Sequence, residues 1–287
     1  MLNPRPLCPC GSGKQINKCC FPSVRGYWRT GCDITPRPPK TDYANPKCFL
    51  AVTKDCSQKI SREHFVSEGV LEEIDYIVGV EGLPWIPPGE QKPVSTPNLT
   101  AHVLCRRHNS ALSPLDSTGA QFFRAIKNLS SSNYDGRENV LAFNGRDIER
   151  WMLKTMYGML ASKLLQARFG MRIGADIDSM CVDLLYDRVP FVPGRGLFIR
   201  TEIGHTVATE RSITVQPVTN NVEQTISGIC FNMVGFDFLL TTCKTNAEKS
   251  AFRPGYIVFA WRKRFKVIHL FWTDPGPHPI VSFINPK

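Results

Sequence analysis

The sequence lacks any run of about 20 apolar residues, the length that an α-helix needs to cross a bilayer. Its first residues, MLNPRPLCPC, also lack the apolar core of a secretory signal peptide. We find no internal repeat along the chain. These absences exclude a helical membrane protein, and we expect a soluble protein of the cytoplasm with no membrane partner.

Negative charge is scarce as well. The chain has 25 Asp and Glu residues against 35 Lys and Arg, which gives a formal charge of +10. This excess favours an anionic partner, and nucleic acid is the first expectation. A solvated basic surface without a partner is the alternative. The length of 287 residues and the 42% hydrophobic content predict a real core and roughly two domains.

Cysteine is plentiful, with 11 residues. In a cytoplasmic protein this number indicates metal sites more than disulfides. Seven of them form two groups before residue 110. The other four are scattered, and we expect them to be small buried apolar residues: Cys32, Cys181, Cys230 and Cys243.

The first cysteine group lies in the stretch CPCGSGKQINKCC. Its four members can close a tetrahedral zinc site: Cys8, Cys10, Cys19 and Cys20. So short a segment cannot bury enough apolar surface to fold alone, so metal binding would supply the free energy. The stretch resembles the SEC-C motif, which implies a zinc knuckle that docks proteins. We therefore predict a zinc knuckle over 1–24 and a protein partner for it.

The rest of the chain predicts an α+β fold in four parts. They are a Pro-rich linker over 25–47, a core over 48–130, a helical region over 131–195 and a β-rich C-terminal region of unknown role over 196–287. Strands are predicted in CFLAVT, KISREHF and NLTAHVLC, and helices in SEGVLEEIDYIV and GRDIERWMLKTMYGMLASKLLQARFG. Ser113 and Pro114 predict another helix start, with Asp116 as a capping residue.

The second cysteine group accompanies two unusual stretches, SREHFV and LCRRHNSALSPLD. From about Cys48 to Asp116 the chain resembles the HNH endonuclease family, whose active site is a ββα-metal fold. The resemblance implies that His64 is the general base and that Glu63 and Asn109 bind a catalytic Mg²⁺ or Mn²⁺. It also implies that Asn98 orients the loop and the base.

The same resemblance implies a structural zinc ion. Its ligands would be Cys56, Cys105 and His108, with Cys48 as the fourth. Because seven residues separate the first two cysteines of this group, Cys48 is alternatively only a buried residue. Together with the knuckle, the chain would hold two structural zinc ions.

Residue chemistry agrees with these roles. Histidine titrates near neutral pH and can deprotonate water, and oxygen ligands suit a hard divalent ion. Adjacent residues on a regular strand face opposite sides, however. Glu63 and His64 can therefore share a site only if their strand ends there. His102, His205, His269 and His278 lack ligand spacing, and we expect structural roles for them.

Two basic segments are candidates for phosphate contact. One is the pair Arg106 and Arg107 beside the predicted metal site. The other is the turn WRKRFK, which lies between two predicted strands and contributes Arg262, Lys263, Arg264 and Lys266. The alternative for this turn is a hairpin that charge keeps soluble.

The sequence therefore predicts an HNH-type endonuclease that hydrolyses DNA phosphodiester bonds, and RNA stays open as the alternative nucleic acid. Two other functions stay open. One is a non-catalytic, zinc-stabilised protein that binds nucleic acid. The other is an adaptor that docks proteins through the knuckle over 1–24.

Overall fold

A computed structural model describes residues 31–72, 77–80, 92–95, 99–130, 140–162, 179–200, 213–220, 225–233, 236–244, 250–261, 264–272 and 278–285, with single positions at 14, 15, 18, 87 and 90. The helices are α1 (Glu68–Leu71), α2 (Arg106–Ser130), α3 (Gly145–Ala161) and α4 (Ser179–Leu185). The strands are β1 (Ile60–His64), β2 (Ile77–Val80), β3 (Lys92–Ser95), β4 (Thr100–Cys105), β5 (Val140–Asn144), β6 (Gly196–Arg200), β7 (Ile213–Asn220), β8 (Thr225–Met233), β9 (Phe236–Thr241), β10 (Ser250–Phe252), β11 (Tyr256–Trp261), β12 (Arg264–Phe271) and β13 (Ile280–Asn285). The predicted α+β class is confirmed.

Four sheets organise the described strands. β1 pairs with β4 and β2 pairs with β3, both antiparallel. A five-stranded antiparallel sheet has the order β10-β6-β9-β8-β7. A four-stranded sheet has the order β13-β11-β12-β5, in which β13 and β5 run parallel to their neighbours. The predicted strands after residue 196 are therefore present.

The sequence predicted a strand in CFLAVT, and this prediction is wrong. The segment forms turns and a short 3-10 helix over Ala51–Thr53, which ends at Lys54 in the left-handed conformation. Local bonds satisfy this backbone, because Ala51 N donates to Cys48 O at 2.9 Å and the Thr53 hydroxyl donates to Leu50 O at 2.8 Å. The strands predicted from KISREHF and NLTAHVLC are confirmed as β1 and β4.

Helix α2 begins at Arg106 and not at Ser113, so the predicted helix start is wrong. Pro114 lies inside the helix, where it cannot donate a hydrogen bond to the carbonyl of Ser110. The Ser113 hydroxyl donates to that carbonyl instead, at 2.9 Å. This replacement lets the helix continue through the proline.

The helix predicted from SEGVLEEIDYIV is mostly wrong. Among the described residues of this segment, α1 is the only α-helix, and it buries Val70 and Leu71; residues 73–76 lie outside the description. The later residues Ile77 and Val78 belong to β2, as their β-branched side chains favour.

Helix α3 confirms the first part of the helix predicted from GRDIERWMLKTMYGMLASKLLQARFG, and it lies at the centre of the molecule; it ends at Ala161, and residues 163–170 lie outside the described residues. All of its residues except the last are buried. Trp151 stacks on Phe231 of the five-stranded sheet with ring centroids 5.8 Å apart. Any side chain at Gly119 of α2 would collide with the Trp151 ring, since a Cβ there would come within 2.3 Å. One cluster of packed, buried apolar residues has members from Ile34 to Val281 along the sequence. The division of the chain into domains stays a prediction.

Within the described ranges, none of the helices is both long and apolar enough to cross a membrane.

Candidate functional site

Three cysteines and one histidine meet beside the start of α2. Cys48 and Cys56 flank the 3-10 helix, Cys105 ends β4, and His108 lies in the first turn of α2. All four side chains are buried, and their ligand atoms lie within 4.8 Å of one another. Cys105 and His108 lie close together because α2 follows β4 directly. The turns on either side of the 3-10 helix place the thiols of Cys48 and Cys56 next to them.

The spacing of these atoms fits one tetrahedral ion. His108 Nδ1 lies 3.5 Å from Cys48 Sγ, 3.6 Å from Cys56 Sγ and 3.2 Å from Cys105 Sγ. Tetrahedral zinc with ordinary bond lengths holds sulfur and nitrogen ligands about 3.6 Å apart. The group could therefore hold a metal such as zinc, with Cys48 as one of its ligands.

The surroundings of His108 present the correct ring nitrogen to the thiols. Its Nε2 lies 3.1 Å from Thr53 Oγ1, and that hydroxyl already donates its proton to Leu50 O. Nε2 must therefore carry the proton and donate it to Thr53. Nδ1 is left with a free lone pair directed at the sulfurs, which is the arrangement that a metal-binding histidine requires.

The pKa values of the four ligand side chains are shifted in different directions. Burial raises the pKa of the Cys48 and Cys56 thiols and lowers the pKa of His108 to about 4. Burial also opposes the Cys105 thiolate, but backbone N–H groups of His108 and Ser57 outweigh it and hold the pKa of Cys105 below its ordinary value. A neutral imidazole and one favoured thiolate are the forms that bind zinc, and the ion would offset the cost of ionising the other two thiols.

A cleft of about 520 Å³ opens where β1 ends and α2 begins. Its lining consists mostly of polar residues from β1, α1 and α2: Arg62, Glu63, His64, Ser67, Glu68, Gly69, Asn109, Ser110, Ser113, Asp116, Ser117 and Ala120. The structure thus brings three of the residues implied by the family resemblance to one place, namely Glu63, His64 and Asn109.

Irregular strand geometry allows the two adjacent residues Glu63 and His64 to line the same cleft. The register with β4 shifts between Ser61 and Glu63, and β1 ends at His64, which pairs with Thr100. The condition set by strand alternation, that the strand ends at this point, is therefore met.

An internal cation, the ammonium group of Lys154 from α3, lies behind the lining of the cleft. Its Nζ forms an ion pair with Glu63 Oε1 and lies 2.7 and 2.6 Å from the two carboxylate oxygens of Asp116. The Ser67 hydroxyl donates to Asp116 Oδ1 at 2.6 Å, and Trp151 Nε1 donates to Ser67 Oγ at 2.8 Å. Two carboxylates and one ammonium leave one negative charge.

Burial raises the pKa of Glu63, against the opposing influence of Lys154 and a side-chain hydrogen bond with Asn109. Burial also disfavours the charged form of Lys154, but Asp116 and Glu63 outweigh it and raise the pKa of the lysine. The ammonium therefore stays charged. The hydrogen bond from Asn109 likewise favours the charged form of Glu63, although burial outweighs it.

Sequence reasoning missed Asp116 and Lys154 as parts of this cleft. Asp116 follows Asn109 by seven residues, which is close to two helical turns and puts both on one face of α2. That spacing is the signal that could have found it. Lys154 has a weaker signal, a charged residue three positions after Trp151 within the apolar stripe of α3.

The residues predicted to contact nucleic acid differ in their exposure and in their ion pairs. Arg106 is exposed, whereas Arg107 is held by Asp55, whose Oδ1 lies 2.9 Å from Arg107 Nε. Lys266 is buried, so we remove it from the predicted nucleic-acid surface. The strands on either side of the predicted basic turn are present, and Trp261 pairs with Arg264.

Several predicted residues lie outside the described residues. They are Asn98, the knuckle ligands Cys8, Cys10, Cys19 and Cys20, and the turn residues Arg262 and Lys263. Their roles stay predictions.

Comparison of the chain with family models, with curated proteins and with solved structures finds no match.

Proposed function

We propose that this chain is a metal-dependent nuclease of the HNH type, which hydrolyses phosphodiester bonds in DNA. One observation carries the proposal: Glu63, His64 and Asn109 line a single cleft. A histidine beside a carboxylate and an amide supplies a base and two oxygen ligands, which is what metal-assisted hydrolysis of a phosphodiester requires.

The arrangement of elements supports the proposal. Strand β4 pairs antiparallel with β1 and leads directly into α2, and the Cys₃His group lies beside the start of α2. His108 belongs to that group, and Asn109 follows it in the chain. A metal ion bound by His108 would therefore hold the first turn of α2, and Asn109 with it, in a fixed position against Glu63.

The donor set fits a hard divalent ion. Glu63 offers a carboxylate and Asn109 offers an amide oxygen, and the group of Glu63, Asp116 and Lys154 carries one net negative charge. Bound here, Mg²⁺ or Mn²⁺ would neutralise charge on the phosphate and on the leaving oxygen. His64 takes the proton from the attacking water, and Arg62 in the cleft and exposed Arg106 beside it contact phosphate oxygens.

The test compares His64→Ala with His102→Ala as the matched control. His102 is exposed on β4 and lies outside the lining of the cleft. With DNA and Mg²⁺ or Mn²⁺, we expect His64→Ala to lose roughly 10²–10⁴-fold in cleavage rate, since that is the usual contribution of a general base. His102→Ala should cleave as the unchanged protein does. Equal activity in all three proteins would sink the assignment.

One observation favours a second function, a non-catalytic protein that binds nucleic acid on the same scaffold. Lys154 already neutralises part of the Glu63 charge, so the pair could serve the fold alone. This function predicts DNA binding without cleavage and no change in affinity when Asn109 is replaced by alanine. A gel-shift titration of Asn109→Ala beside the cleavage assay separates the two functions.

A further inference from the structure

Lys154 reaches the cleft from behind. Its side chain is only 3% exposed, and it does not belong to the lining, whereas its partners Glu63 and Asp116 do. The ammonium thus lies in a second layer, between carboxylates that come from β1 and α2. Helix α3 thereby determines where these two carboxylates lie relative to each other.

The position of Asp116 is fixed by several hydrogen bonds. Asp116 Oδ1 accepts a hydrogen bond from Ser67, and Ser67 accepts one from the indole of Trp151 in the same helix as Lys154. Both carboxylate oxygens of Asp116 also face the ammonium. Two donors from α3, one direct and one through Ser67, therefore hold Asp116 in place.

Lys154 also reduces the negative charge that Glu63 and Asp116 bring to the cleft. Without it, Glu63 and Asp116 would contribute two negative charges to a shared, partly buried space and would repel each other. With it, the net charge of the three groups is minus one. A divalent cation would be attracted less strongly by this triad than by the bare pair of carboxylates.

We propose that Lys154, by neutralising one of the two carboxylate charges, limits the affinity of the cleft for its divalent cation. The inference rests on the proposed function, because it concerns the same cation. Lys154 holds one oxygen of Glu63 and both oxygens of Asp116, and its charge keeps the cleft from binding a divalent ion tightly. A cation held there by few protein ligands would keep several of its waters, as Mg²⁺ commonly does.

The experiment measures Mn²⁺ binding by electron paramagnetic resonance on the full chain saturated with zinc. Lys154→Met keeps the length of the side chain and removes its charge. We expect this variant to bind Mn²⁺ at least about tenfold more tightly, because a nearby positive charge is gone. The double variant Lys154→Met with Asp116→Asn again has one net negative charge, so its affinity should return to within a few-fold of the unchanged protein.

A merely structural lysine would behave differently. Its loss would loosen the cleft, so equal or weaker Mn²⁺ binding by Lys154→Met overturns the proposal, as does the absence of Mn²⁺ binding in both proteins. Should Lys154→Met fold poorly, the double variant is compared with Asp116→Asn alone. The proposal then requires the double variant to bind more tightly, and equal or weaker binding overturns it.

This result is separable from the nuclease test. Tighter Mn²⁺ binding by Lys154→Met, with equal DNA cleavage by the unchanged protein and His64→Ala, would keep the role of Lys154 and remove the nuclease. Unchanged or weaker Mn²⁺ binding, with cleavage that depends on His64, would do the reverse.

Discussion

At the scale of single residues, His108 uses its two ring nitrogens for different purposes. Nδ1 faces three thiols, while Nε2 donates to Thr53, whose own proton goes to Leu50 O. A hydroxyl without any role in metal ligation thereby determines which nitrogen is available to the ion. Partners of this kind orient the ligand and raise its basicity.

Replacement of Thr53 by valine tests this role. The change keeps the side-chain shape and removes the acceptor for His108 Nε2, so we expect zinc affinity to fall by roughly 10–100-fold. Competition with a zinc-binding dye measures the change. The control is Thr118→Val in α2, whose hydroxyl donates to Pro114 O. Unchanged zinc affinity in Thr53→Val would show that the hydroxyl does not orient the ring.

At the scale of elements, the sequence predicts what depends on local pattern and misses what depends on distant partners. Helix α3 follows from its wide apolar stripe, and β1 and β4 follow from their composition. The start of α2 was misplaced because Ser113 and Pro114 imitate a helix start, while a hydroxyl bond to Ser110 O lets the helix continue.

The candidate site shows the same difference between what local pattern predicts and what depends on distant contacts. Motif spacing pointed to Glu63, His64 and Asn109, and the structure brings them to one cleft. The sequence did not predict the role of Lys154, because this residue contacts Glu63 across 91 positions of sequence. Such a contact depends on how α3 packs against β1 and α2, and the local pattern of either segment does not contain it.

Helix α3 also connects the two larger sheets to the rest of the fold. Glu149 accepts from Arg253 Nε at 2.8 Å and from the backbone N–H of Leu197 in β6 at 2.9 Å. Both ionic side chains are almost completely buried, with 1% and 3% of their surface exposed. Losing the carboxylate would leave the guanidinium buried and without that partner.

We therefore expect Glu149→Ala to reduce the free energy of unfolding by about 3–5 kcal/mol, the usual cost of breaking a buried ion pair from one side. Chemical denaturation measures the change. The matched control is Lys40→Ala, which breaks an ion pair with Asp42 whose side chains are 59% and 83% exposed. That change should cost less than about 1 kcal/mol. Similar losses in the two variants would contradict a central role for Glu149.

At the scale of the whole molecule, the two cysteine groups differ in what surrounds them. Cys48, Cys56 and Cys105 belong to the continuous apolar core that also includes α3 and strands from both larger sheets. The first group precedes a Pro-rich segment, in which residues 31–47 form neither helix nor strand. We expect zinc in the Cys₃His group to stabilise the core, and zinc in the first group to stabilise only its own segment.

Elemental analysis with thermal unfolding tests this expectation. The unchanged chain should contain two zinc ions, and either Cys105→Ser or the pair Cys8→Ser and Cys10→Ser should remove one of them. Only Cys105→Ser should lower the main melting temperature, because its ligands join β4 and α2 to the core. The cysteine pair is the matched control, since it removes the same ion from a different place. A melting temperature that falls equally in both variants would mean that the first group is also part of the cooperative unit, and a chain without zinc would refute both assignments.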